Sequence, residues 1–220
     1  MKHLKSLLIT LTALLFVSLS AFTLQKEDQA AIKILNDVSK TYKSFKTIKA
    51  NFKVQVKSKQ DNSNISQSGV LYSKGKKFKI EMSGQEIYCD GKFLWTYLED
   101  ANEVQITKYD PNKEDISPST IFTIYQKGFV SKYSGEDVAK GKTIQKIELT
   151  PKDKGKPYFK VKLSIEKTGH RINDMTVMNK NGMESRYEIV TLSPNLAMSD
   201  DLFKFDAKKK PGVVVVDLSK

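Results

Sequence analysis

The sequence predicts a mainly β protein with covering helices, in which a curved antiparallel sheet forms an incomplete, half-open barrel around an apolar cavity. In most predicted strands, lysine and other polar residues alternate with Val, Ile, Phe or Met, which is the period of a strand with one buried face. Gly-Lys, Asp-Gly and Asn-Gly pairs separate these strands, and such turns favour an antiparallel meander.

Residues 1–21 are predicted to be a cleaved secretory signal. Lys2 and Lys5 precede a nearly uncharged run over residues 7–21, which ends in small residues. A transmembrane anchor is the alternative, but the run is shorter than the roughly 20 apolar residues that a span requires, and charged residues follow at once. We therefore expect an exported protein with no acylated cysteine at its start, in which residues 22–220 form a single domain.

The basic composition favours a solvated lysine surface over a nucleic-acid-binding one. The formal charge is +12, or +10 once Lys2 and Lys5 leave with the signal, and Arg171 and Arg186 are the only arginines. Because arginine is the residue that recognises phosphate and guanine through paired hydrogen bonds, we expect no nucleic acid partner. A weak attraction to anionic lipid head groups or to an acidic protein is the alternative for this surface.

The exported chain is predicted to begin with an amphipathic helix and to continue as a meander. The apolar residues of the helix recur at spacings of three and four, and they are Ala31, Leu35, Val38, Tyr42 and Phe45. From residue 48 the period changes to two. Strands are predicted within residues 48–57, 68–72, 78–82, 104–107 and 159–165. A type I′ turn is predicted at Asn181-Gly182, near the end of this series.

A hairpin with a two-residue turn at Asp90-Gly91 is predicted at the centre of the chain, because this pair tolerates the positive φ angles of a type I′ turn. The turn pairs Cys89 with Lys92 and divides the flanking side chains between two faces. Tyr88, Phe93, Trp95 and Tyr97 share one face, and Ile87, Cys89 and Leu94 share the other. We expect Ile87 and Leu94 to face inward, with residues 213–216 as one candidate cover for the aromatic face.

A short helix is predicted between Ser117-Pro118, an N-cap and first-turn pair, and Gly128, which stops the helix. This helix is apolar nearly all round, with Ile121, Phe122, Ile124 and Tyr125 as its apolar residues. Two interpretations stay open. The helix is either part of a buried core or a lid that moves as a unit over a lipid-sized cavity.

The residues that carry chemistry are too sparse to predict an enzyme. Once the signal is removed, His170 is the only histidine, and it follows Gly169 in a predicted turn. No nucleophile motif, phosphate-binding glycine loop or zinc-type spacing of histidine and cysteine is present. Adjacent carboxylates such as Glu99-Asp100 fall in loops, where they are usually solvated. We therefore expect no catalytic residues, no metal and no cofactor.

Several segments, taken in order, resemble the outer-membrane lipoprotein carrier (LolA-type) family. They are Asn51-Phe52-Lys53-Val54-Gln55, Phe78-Lys79-Ile80-Glu81-Met82, Asp90-Gly91-Lys92-Phe93-Leu94-Trp95-Thr96-Tyr97, Phe203-Lys204-Phe205 and Pro211-Gly212-Val213. The resemblance implies a periplasmic protein with an incomplete barrel covered by helices. It also implies a carrier that takes the acyl chains of lipoproteins from an ATP-driven inner-membrane transporter to an outer-membrane acceptor.

The resemblance implies that the inward side chains of the barrel bind lipid, and we expect the carrier to be a monomer. The candidate lining residues are Phe52, Val54, Val56, Phe78, Ile80, Met82, Ile87, Leu94, Ile121, Phe122, Tyr125, Phe159, Val161, Leu163 and Ile165. The alternative function is that of a periplasmic regulatory domain of the same fold that senses lipid or lipoprotein. Family members are also expected to latch the covering helix with an early arginine, but this chain has Lys74-Gly75-Lys76-Lys77 in that region.

Overall fold

The computed structural model describes residues 28–110 and 120–219. The predicted signal and the Ser117-Pro118 start of the predicted short helix lie outside the described residues. The described chain contains one α-helix, α1 (Gln29–Lys43), and twelve strands. The strands are β1 (Ile48–Ser58), β2 (Asn64–Lys74), β3 (Lys77–Met82), β4 (Gln85–Cys89), β5 (Phe93–Leu98), β6 (Glu103–Lys108), β7 (Phe129–Ala139), β8 (Lys142–Pro151), β9 (Tyr158–Glu166), β10 (Arg171–Asn179), β11 (Met183–Pro194) and β12 (Val214–Asp217).

Strand β1 lies near the middle of one twelve-stranded sheet and joins two meanders. The strand order is β12-β6-β5-β4-β3-β2-β1-β11-β10-β9-β8-β7. Neighbouring strands are antiparallel, except that β12 runs parallel to β6. The sheet is curved, and within the described ranges its edge strands β7 and β12 do not pair with each other. The predicted incomplete barrel with a covering helix is therefore confirmed.

Helix α1 packs the predicted apolar stripe against the concave side of the sheet. Asp28 caps the helix by accepting hydrogen bonds from the N–H groups of Ala30 and Ala31, at 2.9 and 3.3 Å. The second oxygen of the same carboxylate accepts the Tyr133 N–H of β7 at 2.9 Å. These backbone donors, Tyr133 first, lower the pKa of Asp28.

No helix in the described part of the chain is both long and apolar enough to span a membrane.

The central hairpin has the predicted faces but a different turn. Cys89 pairs with Leu94 rather than with Lys92, so the two central residues are Gly91 and Lys92. Positive φ falls on Gly91 alone, at 92°, and the Asp90 carboxylate accepts the N–H groups of Lys92 and Phe93 at 2.8 and 2.9 Å. The predicted type I′ turn is wrong because the Asp90 side chain bonds the backbone of the turn from outside the two central positions.

The turn at Asn181-Gly182 is also not of the predicted type I′. Positive φ occurs at Gly182, at 81°, and not at Asn181. The Gly182 N–H donates to the Asn179 carbonyl oxygen at 3.1 Å, and Met178 pairs with Glu184. This arrangement is a longer hairpin loop in which a glycine takes the left-handed position, and a type I′ turn is not formed.

The C-terminal residues cover the outer face of the first meander. Phe205 packs on Tyr88 and Tyr97, with ring centroids 5.7 and 5.6 Å apart. The Lys210 ammonium lies 4.3 Å from the Tyr97 ring centroid and 3.0 Å from a Glu86 carboxylate oxygen. Residues 214–217 form β12 at the sheet edge instead of covering this face. The prediction that residues 213–216 cover the aromatic face is therefore wrong. Phe205 and Lys210, which precede them in the chain, cover this face instead.

Candidate apolar binding interior

The concave side of the sheet encloses one apolar cluster to which α1 and both meanders contribute. Most of the predicted lining residues belong to this cluster or pack against it. They are Phe52, Val54, Phe78, Ile80, Met82, Ile87, Leu94, Ile121, Phe122, Tyr125, Val161, Leu163 and Ile165. Val56 is half-buried near the end of β1. The period-two alternation therefore identifies the inward face of each of these strands.

Phe159 is the lining candidate that the structure places outside the interior. Met178 pairs with Lys160, whereas Asn179 pairs with Tyr158, so Phe159 is the extra residue of a β-bulge. Its side chain is 45% exposed, and that of Tyr158 is 5% exposed. The bulge changes the alternation by one residue, and Tyr158 takes the inward position that the pattern assigns to Phe159.

Several interior residues are absent from the predicted lining. They are Ala50, Leu71, Ile147, Leu149, Ile172, Met175, Val177, Ile189 and Leu192. Those on β1, β8, β10 and β11 alternate with polar or exposed neighbours, so the same pattern could have identified them, whereas Leu71 of β2 lies between the half-buried Val70 and Tyr72. Helix α1 adds Ala31, Ile34, Leu35 and Val38, which are buried along its apolar stripe.

Residues 120–127, the cover segment, close the interior. Ile121, Phe122 and Tyr125 are 1%, 4% and 5% exposed and fill the concave space. The void that remains beside Ile121 and Leu71 is too narrow to admit a water molecule. The sequence predicts an apolar cavity, and the structure has an apolar interior of which this segment occupies a part. The interior is therefore closed in this conformation.

The cover segment is not the α-helix that its composition predicts. Residues 120–127 form a turn and a short 3₁₀ helix, Ile124–Gln126, and Gly128 follows with a φ of 83°. Burial of apolar side chains against the sheet and α1 determines its conformation more than helix propensity does. The predicted stop at Gly128 agrees with this positive φ, while the predicted start lies outside the described residues.

Aromatic contacts join the cover segment to α1. The Phe122 ring stacks on the Tyr42 ring with centroids 4.6 Å apart and an interplanar angle of 21°. The Tyr42 hydroxyl accepts the buried Ile172 N–H of β10 at 3.1 Å. Burial raises the pKa of Tyr42, so the phenol stays neutral at physiological pH. The cover therefore rests on a residue that is itself fixed to the sheet.

Two grooves flank the cover segment at the surface. The edge groove, about 410 Å³, lies between α1, Tyr125 and the start of β7 at Phe129. The central groove, about 460 Å³, lies between the end of α1, Phe122 and the β2–β3 turn at Gly75. Lys43 lines both grooves, so they meet at the C-terminal end of α1. Both grooves border the cover segment.

The lysines that stand where the family arginine is expected bind the C-terminal residues. Lys74 and Lys77 lie 2.9 and 2.7 Å from the two Asp200 carboxylate oxygens. Lys74 also donates to the Met198 carbonyl oxygen at 3.1 Å. The hydrogen bonds from Lys77 and Lys74 lower the pKa of Asp200 to about 2. These two lysines therefore anchor residues 198–200 to the first meander.

The interior defines an incomplete antiparallel barrel that is closed over an apolar core by one helix and one cover segment. Its walls offer apolar contacts and suit the binding of apolar ligands. Residues 43–206 match the family described as outer membrane lipoprotein carrier protein LolA. The chain belongs to this family. The family resemblance of the sequence is therefore confirmed over most of its length.

Two solved structures with TM-scores above 0.5 share this fold at low sequence identity. An uncharacterized conserved protein from Thermus thermophilus is 15% identical, with a TM-score of 0.59 over 86% of this chain and 99% of that chain. LprF from Mycobacterium bovis is 13% identical, with a TM-score of 0.51 over 79% of this chain and 97% of that chain. A LolA superfamily protein from Nitrosomonas europaea is 15% identical, with a TM-score of 0.45 over 80% and 98% of the two chains. Comparison with curated proteins gives no match.

Proposed function

We propose that the protein is a periplasmic carrier that shields the acyl chains of lipoproteins in its interior and moves them from the inner to the outer membrane. The observation that carries this proposal is the closure of an apolar barrel interior by three side chains of one cover segment, Ile121, Phe122 and Tyr125. Membership of the LolA family supports the same role. The role is one of binding rather than catalysis.

The cost of exposing acyl chains to water explains why such a carrier is needed. Each methylene that leaves an apolar environment costs about 0.8 kcal/mol, so a lipoprotein with long chains cannot cross an aqueous compartment unaided. A protein that encloses the chains on apolar walls removes this cost. The inward faces of both meanders supply such walls over most of the curved sheet.

The cover segment offers a way to load the interior without an empty cavity. An empty apolar cavity destabilises a protein, because its walls lose both packing contacts and burial. Here the Phe122 and Ile121 side chains occupy the space until an acyl chain replaces them. Apolar surface is then buried before and after the exchange, and the difference in free energy between the closed and loaded forms stays small.

Release requires that affinity be moderate and adjustable. Acyl chains make no directional bonds, so the covered apolar area sets their affinity. Met82 and Met175 are flexible side chains in or beside the interior and can adapt to chains of different shape. An ATP-driven inner-membrane transporter as the donor and an outer-membrane acceptor complete the proposed route.

The direct test is binding of a purified triacylated lipoprotein, followed by gel filtration and mass spectrometry of the protein fraction. We expect the acylated lipoprotein to coelute with the protein and the same lipoprotein without acyl chains to elute separately. Coelution of both forms, or of neither, would contradict the proposed carrier.

A matched pair of variants locates the binding to the interior. Ala50→Leu adds volume at a residue that is 0% exposed inside the sheet, whereas Asn51→Leu changes an exposed residue of the same strand. We expect the first variant to take up less triacylated lipoprotein and the second to take up as much as the unchanged protein. Urea unfolding of both variants shows whether each remains folded. Equal uptake by two folded variants would place the acyl chains elsewhere.

A further inference from the structure

The charged side chains that line the edge and central grooves are all lysines. Lys43, Lys127 and Lys152 line the edge groove, and Lys43, Lys46 and Lys76 line the central groove. All five lysines are exposed. No aspartate or glutamate is among the described residues that line either groove. The surface around the cover segment, which we call the lysine rim, is therefore positive.

A groove elsewhere on the described surface carries charges of both signs. This groove, of about 360 Å³ beside β8 and β11, is lined by Glu166 and Glu188 as well as by basic residues. Lys142 lies 3.0 Å from Glu166, and Lys140 lies 3.6 Å from Glu188. In contrast, no ion pair within the described ranges involves Lys43, Lys46, Lys76 or Lys127. The two grooves beside the cover segment thus differ from this one, because their charged lining residues are all of one sign.

We infer that the lysine rim docks the protein on the head groups of an anionic lipid bilayer. The five lysines come from α1, the segment between α1 and β1, the β2–β3 turn, the cover segment and the residue after β8. Such a ring of flexible point charges suits a diffuse, negatively charged surface, on which each lysine contributes without a fixed partner geometry. An acidic protein would be recognised better by planar guanidinium groups, and no arginine lines either groove.

Docking at this face has a consequence for the cover segment. Because both grooves border residues 120–127, docking brings the closed side of the interior against the membrane surface. This inference goes beyond the proposed carrier role, since vesicle binding requires no lipoprotein. The two are therefore tested separately. Vesicle binding without uptake of triacylated lipoprotein contradicts the carrier alone, and uptake without vesicle binding contradicts the docking alone.

The test is cosedimentation of the whole chain with vesicles of equimolar phosphatidylglycerol and phosphatidylcholine, and with vesicles of phosphatidylcholine alone. We expect binding to the anionic vesicles at low salt and its loss at high salt, because salt screens exposed charges. Phosphatidylcholine vesicles should bind little protein. Equal binding to both vesicles, or no binding to the anionic ones, overturns the inference. The second result leaves an acidic protein as the partner of the rim.

Matched lysine variants separate the rim from the overall charge. The rim variant carries Lys43→Gln, Lys46→Gln and Lys127→Gln, and the control variant carries Lys53→Gln, Lys57→Gln and Lys59→Gln at exposed positions in and after β1. Each lysine near an anionic surface contributes about fivefold to binding, so the rim variant should bind about 100-fold more weakly. The control should lose less than about fivefold, through long-range charge alone. Equal losses in the two variants would show that net charge, and not this face, drives the binding.

Discussion

Gly69 lies where β1, β2 and β3 pack closely inside the sheet. A Cβ atom at this position would lie 2.5 Å from the Phe52 ring and 2.6 Å from the Glu81 carbonyl oxygen. The carbonyl oxygen belongs to the backbone of β3 and cannot rotate away. Gly69 is therefore required by close approach, and its φ is not among the positive values.

Replacing Gly69 by alanine should destabilise the fold. The clash should lower the free energy of unfolding by about 1–3 kcal/mol, as overpacking of a core does. The gain from reduced backbone entropy in the unfolded chain is at most about 1 kcal/mol, so the clash determines the sign. Urea unfolding measures the change. Ser68→Ala, at the exposed neighbouring position, is the control and should change the free energy by less than about 0.5 kcal/mol.

Asp200 should make the stability of the C-terminal anchor depend on pH. Its folded-state pKa of about 2 is below the ordinary 3.8, so its contribution is complete above pH 3.8 and is lost as the pH falls through 2. We expect Asp200→Asn to lower the urea midpoint at pH 7 and to leave it unchanged below pH 2. Asp201→Asn is the control in the same 3₁₀ helix. A midpoint difference for Asp200→Asn that persists in strong acid would exclude the lysine contacts as its cause.

At the level of elements, the cover segment differs from the strands around it. Residues 120–127 form no strand of the sheet, and aromatic stacking on Tyr42 and burial of three side chains help to hold them in place. Segments held in this way open locally at a lower free energy than paired strands. The cover can therefore move while the sheet stays intact.

Phe122→Ala should open the cover segment without unfolding the sheet. The substitution removes the stack on Tyr42 and most of the burial of Phe122, so each 1.4 kcal/mol lost increases the open population about tenfold. We expect faster hydrogen exchange at amides 121–125. Phe203→Ala removes a fully buried ring of the C-terminal residues and serves as the control. If both variants accelerate exchange at amides 121–125 equally, the cover does not open independently.

The sequence predicts the faces of the strands better than their registers and partners. In the hairpin near Gly91 the register is two residues away from the predicted one, but such a shift preserves the alternation, so Ile87 and Leu94 still face inward. At Phe159, in contrast, a single-residue bulge places the side chain on the outer face of the sheet instead of the predicted inner face. Bulges have no local signal in this alternation, and this explains why the lining candidate is wrong there.

For the molecule as a whole, β1 pairs with β2 on one side and with β11 on the other. This pairing makes one sheet of two meanders, and α1 packs across the inside. The pairing of β1 with β11 joins residues about 140 positions apart, as in the hydrogen bond between Asn51 and Thr191. No local pattern predicts such a partner, nor the parallel pairing of β12 with β6, because both depend on how the completed sheet curves.

A continuous sheet of this kind should unfold as one cooperative unit. Trp95 lies in β5 of the first meander, whereas far-ultraviolet circular dichroism reports on both meanders. We expect the urea transitions of Trp95 fluorescence and of circular dichroism to coincide, which is the behaviour of a single domain. Two separated transitions would show that the meanders fold independently and would contradict the predicted single domain.

The double use of the Asp28 carboxylate has a consequence for how the chain folds during synthesis. The carboxylate binds Tyr133, and Tyr42 at the other end of the helix binds Ile172, across sequence separations of 105 and 130 residues. Helix α1 therefore emerges first but finds its docking surface only after most of the chain has followed. An isolated helix of 15 residues is only marginally stable in water. Until its docking surface forms, this segment must therefore stay unfolded, or other proteins must shield its apolar residues. Strands β7 and β10 thus determine when helix α1 docks on the sheet.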